Sequence, residues 1–69
     1  MTERLASRLK EVRSELGLTQ AQLAERVGVT RKTVNTVENG VFVPSALLAL
    51  KLARALNEPF EGLFWLSEA

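Results

Sequence analysis

Cysteine and histidine are both absent from the 69-residue sequence, and so is tyrosine. Without cysteine and histidine, the chain cannot form a disulfide scaffold, a zinc finger or a catalytic site built on either residue. Only serine, lysine and carboxylates remain for chemistry, and no glycine-rich phosphate loop is present. We therefore expect a protein that is not an enzyme and that holds no cofactor or metal.

Long apolar runs are also missing. No run approaches the roughly 18 residues that a membrane-spanning helix requires, and no signal peptide is recognisable. The lack of cysteine suits a cytosolic protein. We expect a cytoplasmic protein without membrane contact, and the length indicates a single small domain over residues 1–69.

Basic and acidic residues are unevenly distributed, although the net charge is only +1. All nine basic residues lie between Arg4 and Arg54, whereas residues 55–69 carry three glutamates and no base. A basic body with an acidic tail favours a polyanionic partner on one side of the molecule. The alternative is ordinary solvated charge, and the distribution alone does not decide between the two.

Apolar residues at helical spacing predict five short helices and no strand. The first helix has its apolar face at Leu5, Leu9, Val12 and Leu16. Thr2 can cap this helix, and Gly17 ends it. No run alternates between apolar and polar residues clearly enough for a strand. The predicted fold is therefore all-α, a compact domain of five helices.

Residues 20–39 form the pattern that organises the chain, two short helices joined by a tight turn. The second helix spans about Gln20 to Val27, and the third spans about Arg31 to Asn39. Thr19 can cap the second helix, and Thr30 can cap the third. Gly28 can adopt the positive φ that ends a helix. This layout predicts a helix-turn-helix formed by helices 2 and 3.

Two further helices follow an extended connector, Val41 to Pro44. Ser45 can cap the fourth helix, which runs to about Leu56 and is apolar nearly all round. Pro59 begins a last short helix. A helix that is apolar on two sides needs a second partner, so we expect residues 45–69 to serve dimerisation. The expected interface residues are Leu47, Leu50, Phe60, Phe64 and Trp65.

The outward face of the third helix has the chemistry of a DNA-reading surface. Val34 and Val37 define the inward face, so the polar side chains point away from the body. The candidates for contact with base edges are Arg31, Lys32, Thr33, Asn35 and Thr36. Arginine and lysine donate to guanine, asparagine pairs with adenine, and threonine can contact the thymine methyl group. The alternative is a solvated polar face that contacts nothing.

The start of the second helix is a candidate phosphate site. Its free N–H groups and its dipole attract an anion, and Gln20 adds a side-chain donor beside Thr19. The alternative is that both residues merely cap the helix.

Glu38 is the one carboxylate that the periodicity tilts toward the body of the protein. Burying a carboxylate without a partner is costly, and Arg13 borders the apolar face of the first helix. We therefore predict a partly shielded Arg13–Glu38 ion pair that joins helix 1 to the end of helix 3. Two independent solvated charges are the alternative.

Taken together, these residues resemble the phage-repressor helix-turn-helix family, also called the Cro/repressor or XRE type. The resemblance covers about Leu5 to Phe64, nearly the whole chain. It rests on L-G-L-T-Q at 16–20, L-A at 23–24, V-G-V at 27–29 and V-E-N-G at 37–40. Arg13, Pro44-Ser45 and the run 52–56 extend it.

The resemblance implies a lambda-repressor-like domain from a bacterial or archaeal transcriptional regulator. Such a protein binds a near-palindromic operator on double-stranded DNA as a homodimer, usually as a repressor, and no small-molecule effector is evident. The resemblance also implies that the Arg13–Glu38 pair is structural and that the residue matching Asn39 contacts the DNA backbone. The expected phosphate contacts are Thr19, Gln20, Thr30 and Asn39.

The loop Val41–Val43 departs from the family, which often has a basic or polar residue there. Either a phosphate contact from this loop is lost, or the apolar loop serves a contact with another protein. The rival interpretation of the whole chain is accordingly a protein-interaction module, an antitoxin or adaptor that uses the same fold.

Overall fold

The computed structural model describes residues 2–68, and this part of the chain forms five helices and one two-stranded sheet. In chain order the elements are β1 (Glu3–Ser7), α1 (Leu9–Glu15), α2 (Gln20–Val27), α3 (Arg31–Glu38), α4 (Ala46–Ala55), α5 (Phe60–Leu63) and β2 (Phe64–Glu68).

The predicted boundaries of α2, α3 and α4 are confirmed to within a residue or so, and local capping explains them. The Thr19 hydroxyl accepts the backbone N–H of Gln22, whose side chain accepts the N–H of Thr19 in return. Thr30 and Ser45 cap α3 and α4 in the same way, since each hydroxyl accepts a backbone N–H from the first turn of its helix. Each cap satisfies an N–H that has no partner within its helix. Gly28 ends α2 at a φ of 76°, a conformation that glycine adopts without a steric penalty.

The prediction for the N-terminal segment is wrong, and the fold is not purely all-α. Residues 3–7 form β1, which pairs antiparallel with β2 at the other end of the chain. The helix predicted from about Thr2 begins only at Leu9. The helical spacing of Leu5 does not exclude a strand. Whether residues 3–7 form a strand depends on a pairing partner that is distant in sequence. Leu16, placed on the apolar face by the same spacing, is exposed.

The sheet is attached to the core at its β2 end. Directly opposite residues share a face of a sheet, so Leu5 lies beside Leu66 and Ala6 beside Trp65. The first residue of β2, Phe64, is only 2% exposed. Its ring therefore packs inside one copy of the chain, which leaves little of Phe64 for the dimer contact that the sequence predicts.

The core gathers apolar side chains from all five helices and from β2. Its members are Leu9, Val12, Leu23, Ala24, Val27, Val34, Val37, Ala49, Leu52, Ala53, Leu56, Leu63 and Phe64. Within residues 2–68 no polar or charged residue is buried as a whole, although the side chain of Glu38 alone is only 1% exposed. The predicted inward face of α3, Val34 and Val37, is thereby confirmed, and the polar faces of α2 and α3 lie outside the core.

In the part of the chain that the structure describes, none of the helices has the length and apolar character needed to span a bilayer.

Candidate nucleic-acid interface

The turn between α2 and α3 holds the two helices as one unit. The Val29 N–H donates to the Ala24 carbonyl at 3.0 Å, which closes the turn after Gly28. Val29 packs partly buried against the core, and Ala24 is buried. A side chain as small as that of Ala24 leaves room for a neighbouring helix, and α3 begins at Arg31, two residues after Val29.

The outward face of α3 is divided between free side chains and internally bonded ones. Arg31, Lys32 and Asn35 are exposed and line a shallow depression. Thr36 is partly buried and donates its hydroxyl to the Thr33 carbonyl at 2.9 Å. Its hydroxyl oxygen and methyl group remain available, whereas its proton is already used. Thr33, also partly buried, lies within 3.0 Å of the Thr30 hydroxyl.

Positive charge at the start of α3 is not compensated by a neighbouring carboxylate. Within residues 2–68, the ion pairs are Arg8–Glu11 and Arg13–Glu38, and neither involves Arg31 or Lys32. Two unpaired cations beside the free N–H groups of a helix start attract an anion. This end of α3 is therefore suited to a polyanion.

The structure brings Arg13 and Glu38 together in a two-point contact. Arg13 Nε donates to Glu38 Oε2 at 2.5 Å, and Nη2 donates to Oε1 at 3.2 Å. The remaining nitrogen, Nη1, donates to the Leu18 carbonyl at 2.7 Å. The two side chains are 11% and 1% exposed, respectively. Arg13 thus ties α1 to the end of α3 and also fixes the segment that leads into α2.

Gln20 lies at the start of α2, where the sequence predicts a phosphate contact, but its side chain turns toward α3. Its Nε2 donates to Glu38 Oε1 at 2.9 Å, and its Oε1 accepts from Asn35 Nδ2 at 3.4 Å. One hydrogen on Nε2 remains for another acceptor. Thr19, beside it, uses its hydroxyl in the cap.

Asn39 lies just beyond α3, as its C-cap residue, and donates from Nδ2 to Asn35 Oδ1 at 3.2 Å. The sequence reasoning missed this contact and the Gln20–Asn35 and Gln20–Glu38 contacts. The four-residue spacing of Asn35 and Asn39 is the signal that would have found the first. The other two depend on how α2 crosses α3, which local spacing does not reveal.

The remaining predicted residues lie apart from this surface. Leu47, Leu50, Phe60 and Trp65 are exposed on α4, α5 and β2, and the loop Val41–Val43 is exposed as well. Of the predicted dimer residues, only Phe64 is enclosed by its own chain.

Comparisons with known proteins agree with the geometry. A sequence profile of the helix-turn-helix family matches residues 9–63. The chain is 47% identical over 64 residues to YgzD, an uncharacterized HTH-type transcriptional regulator of Bacillus subtilis, and the match covers 93% of this chain and 97% of that protein. It is 54% identical over 61 residues to an uncharacterized HTH-type transcriptional regulator of Methanothermobacter thermautotrophicus, covering 87% of this chain and 88% of that one.

A solved structure is similar over most of its length. The restriction-modification controller protein C.AhdI of Aeromonas hydrophila superposes with a TM-score of 0.77 at 40% identity, covering 80% of this chain and 83% of that chain.

Proposed function

We propose that this chain, which belongs to the helix-turn-helix family, is a transcriptional regulator that reads a specific sequence of double-stranded DNA through α3. The observation that carries the proposal is the exposed outward face of α3, where two unpaired cations and an asparagine stand together. An α-helix fits the major groove, where each base pair presents a distinct pattern of donors and acceptors.

The residues of α3 divide the work of base contact by their chemistry. Arg31 and Lys32 donate to guanine O6 and N7, and Asn35 offers the donor and acceptor that adenine requires. Thr33 and Thr36 contribute mainly methyl surface, because each hydroxyl already takes part in one hydrogen bond, with the Thr30 hydroxyl and the Thr33 carbonyl respectively. Thymine methyl groups are the partner for such surface.

Phosphate contacts hold α3 in register on the duplex. Gln20 retains one amide hydrogen, and Asn39 stands at the exposed C-terminal end of α3. Thr19 and Thr30 add the backbone N–H groups of the helix starts that they cap. Contacts of this kind fix orientation without reading sequence.

Two copies of the chain bind together in this proposal. The exposed apolar residues Leu47, Leu50, Phe60 and Trp65 form the contact, and Phe64 takes no part in it. A two-fold dimer presents two copies of α3 about 34 Å apart, one turn of DNA, so the operator is a near-palindrome. A dimer bound there excludes other proteins from the site and acts as a repressor.

Selection from a random pool of DNA duplexes tests this function. The purified protein is incubated with the pool, and the retained duplexes are sequenced over several rounds. We expect enrichment of one near-palindromic sequence, with an affinity that falls steeply as salt increases. If the retained duplexes are still random in sequence after selection, the proposal is contradicted.

A protein-interaction module is the second candidate, and the apolar loop is the observation that favours it. Val41 and Val43 are exposed. Phe42 and Val43 of this loop line an open cleft of about 490 Å³ together with Leu5 and Leu66. Exposed apolar surface of this kind commonly marks a protein contact. Tight binding of a protein partner, with no affinity for any duplex, would favour this candidate over the regulator.

A further inference from the structure

Four side chains between the start of α2 and the end of α3 are joined by hydrogen bonds that all run in one direction. Asn39 donates to Asn35 at 3.2 Å, and Asn35 donates to Gln20 at 3.4 Å. Gln20 donates in turn to Glu38 at 2.9 Å. We name the three amides, Gln20, Asn35 and Asn39, the amide relay.

The carboxylate of Glu38 sets this direction. An ionised carboxylate only accepts hydrogen bonds, so Gln20 must turn its NH₂ group toward Glu38. The carbonyl oxygen of Gln20 then faces Asn35, so Asn35 must donate a hydrogen bond to it from its own NH₂ group. Without such an anchor, the terminal torsion of an amide side chain is roughly two-fold, so its oxygen and nitrogen could exchange places. The side chain of Glu38 is 1% exposed and is held by Arg13, so the relay starts from a fixed anchor.

The relay leaves Asn35 with one free donor and one free acceptor. Its Nδ2 uses one hydrogen on Gln20 and keeps the other. Its Oδ1 accepts from Asn39 and keeps a second lone pair. Adenine presents N7 as an acceptor and its N6 amino group as a donor in the major groove, which matches this pair.

We propose that Gln20 is a positioning residue for base recognition, which orients the Asn35 amide so that Asn35 selects adenine. The proposal rests on the DNA-binding function above and adds to the phosphate contact expected of Gln20. A donor and acceptor that are already oriented lose less freedom on binding than a freely rotating amide. Sequence preference at one base pair therefore depends on a residue that does not itself touch the base.

Base preference distinguishes this role from a phosphate contact, which weakens all sequences alike. Sites are selected from a random duplex pool with the wild-type chain and with Asn35→Ala, which identifies the base pair that Asn35 reads. Affinities are then measured for the best duplex and for the same duplex changed at that pair. We expect the wild type to prefer adenine there by about 5- to 150-fold, the range for a two-point contact.

Gln20→Met keeps the length of the side chain and removes both amide contacts. We expect this variant to lose most of the adenine preference at the Asn35 pair and to keep the preferences at other pairs. The double variant with Asn35→Ala should lose no further preference there. Gln22→Met makes the same substitution two residues away, where the side chain serves the cap of α2. It controls for a general loss of stability and should leave all preferences unchanged.

Two results would overturn the positioning role. One is a uniform loss of affinity in Gln20→Met with the adenine preference intact, and the other is an unchanged preference in Asn35→Ala. A wild-type chain with no sequence preference at all would instead contradict the proposed function, sequence-specific DNA binding, on which the positioning role rests. Thermal melting of each variant, followed by circular dichroism, establishes that the folded state is being compared.

Discussion

At the scale of single residues, the exposed charges on α3 and the buried ion pair at its end have different roles. Arg31 and Lys32 are exposed and unpaired within the described chain, so their charge is available to a ligand. Arg13 and Glu38 are almost enclosed, and every donor on Arg13 that the geometry records is directed at an acceptor in the chain. Arg31 and Lys32 are therefore free to contact a ligand, whereas the Arg13–Glu38 pair ties α1 to the end of α3.

Arg31→Ala should weaken binding to the preferred duplex by about 1–3 kcal/mol and relax the base preference at one position, because a base-edge contact is lost. Affinity titrations on the selected duplex and its single-base variants measure both effects. Arg26→Ala makes the same change on an exposed position of α2 and should have little effect on preference. An equal loss of affinity for every duplex would show that Arg31 contacts phosphate and not a base edge.

Glu38→Ala should lower the free energy of unfolding by up to about 3–5 kcal/mol, because it leaves the Arg13 guanidinium shielded from water and without its partner. Urea denaturation at a fixed protein concentration measures this change. Glu25→Ala, on the exposed side of α2, is the matched control and should shift stability by less than about 0.5 kcal/mol. Equal midpoints for the two variants would show that the pair contributes nothing to folding.

At the scale of elements, the parts predicted from the sequence are those with local causes. The caps at Thr19, Thr30 and Ser45 and the glycine turn at Gly28 act over a few residues, and each lies where it was predicted. The sheet has no local cause, since its two strands lie at opposite ends of the chain. Leu5 and Leu66 acquire their strand character from each other, which a reading of either segment alone misses.

The candidate site shows the same division. The polar face of α3 follows from the helical positions of Val34 and Val37, so its exposed residues were predictable. The hydrogen bonds of Gln20 depend on the crossing of α2 over α3, and they have no signature in the spacing of residues.

The register of the sheet can be tested by a double-mutant cycle. Leu5→Ala and Leu66→Ala should be coupled by about 0.2–1 kcal/mol in unfolding free energy, as expected for directly opposite residues on one face. Leu5→Ala combined with Leu47→Ala, on α4, serves as the control and should be additive. Additive losses in both pairs would contradict the register.

At the scale of the whole molecule, a small core leaves much apolar surface outside. Leu47, Leu50 and Trp65 are exposed in the single chain. In the proposed dimer, a second copy would cover these residues and remove their apolar surface from water. The same arrangement would place two copies of α3 on one face of a duplex. Dimer formation and DNA affinity should therefore change together.

Leu50→Asp should convert the dimer to a monomer and weaken operator binding without loss of helix content, because it places a charge in the proposed contact. Sedimentation equilibrium at micromolar protein measures the first effect. Leu16→Asp, at an exposed leucine outside the proposed contact, is the matched control and should remain a dimer. A wild-type chain that is monomeric at high micromolar concentration would count against the dimer.

The most direct test of the central claim is the ratio of two affinities, measured at physiological salt. One duplex carries the sequence selected from the random pool, and the other carries the same bases in scrambled order. If the outward face of α3 reads bases, the selected duplex should bind about 10³-fold more tightly or better. Equal affinities for the two duplexes would contradict sequence reading by α3, because phosphate contacts alone do not distinguish them.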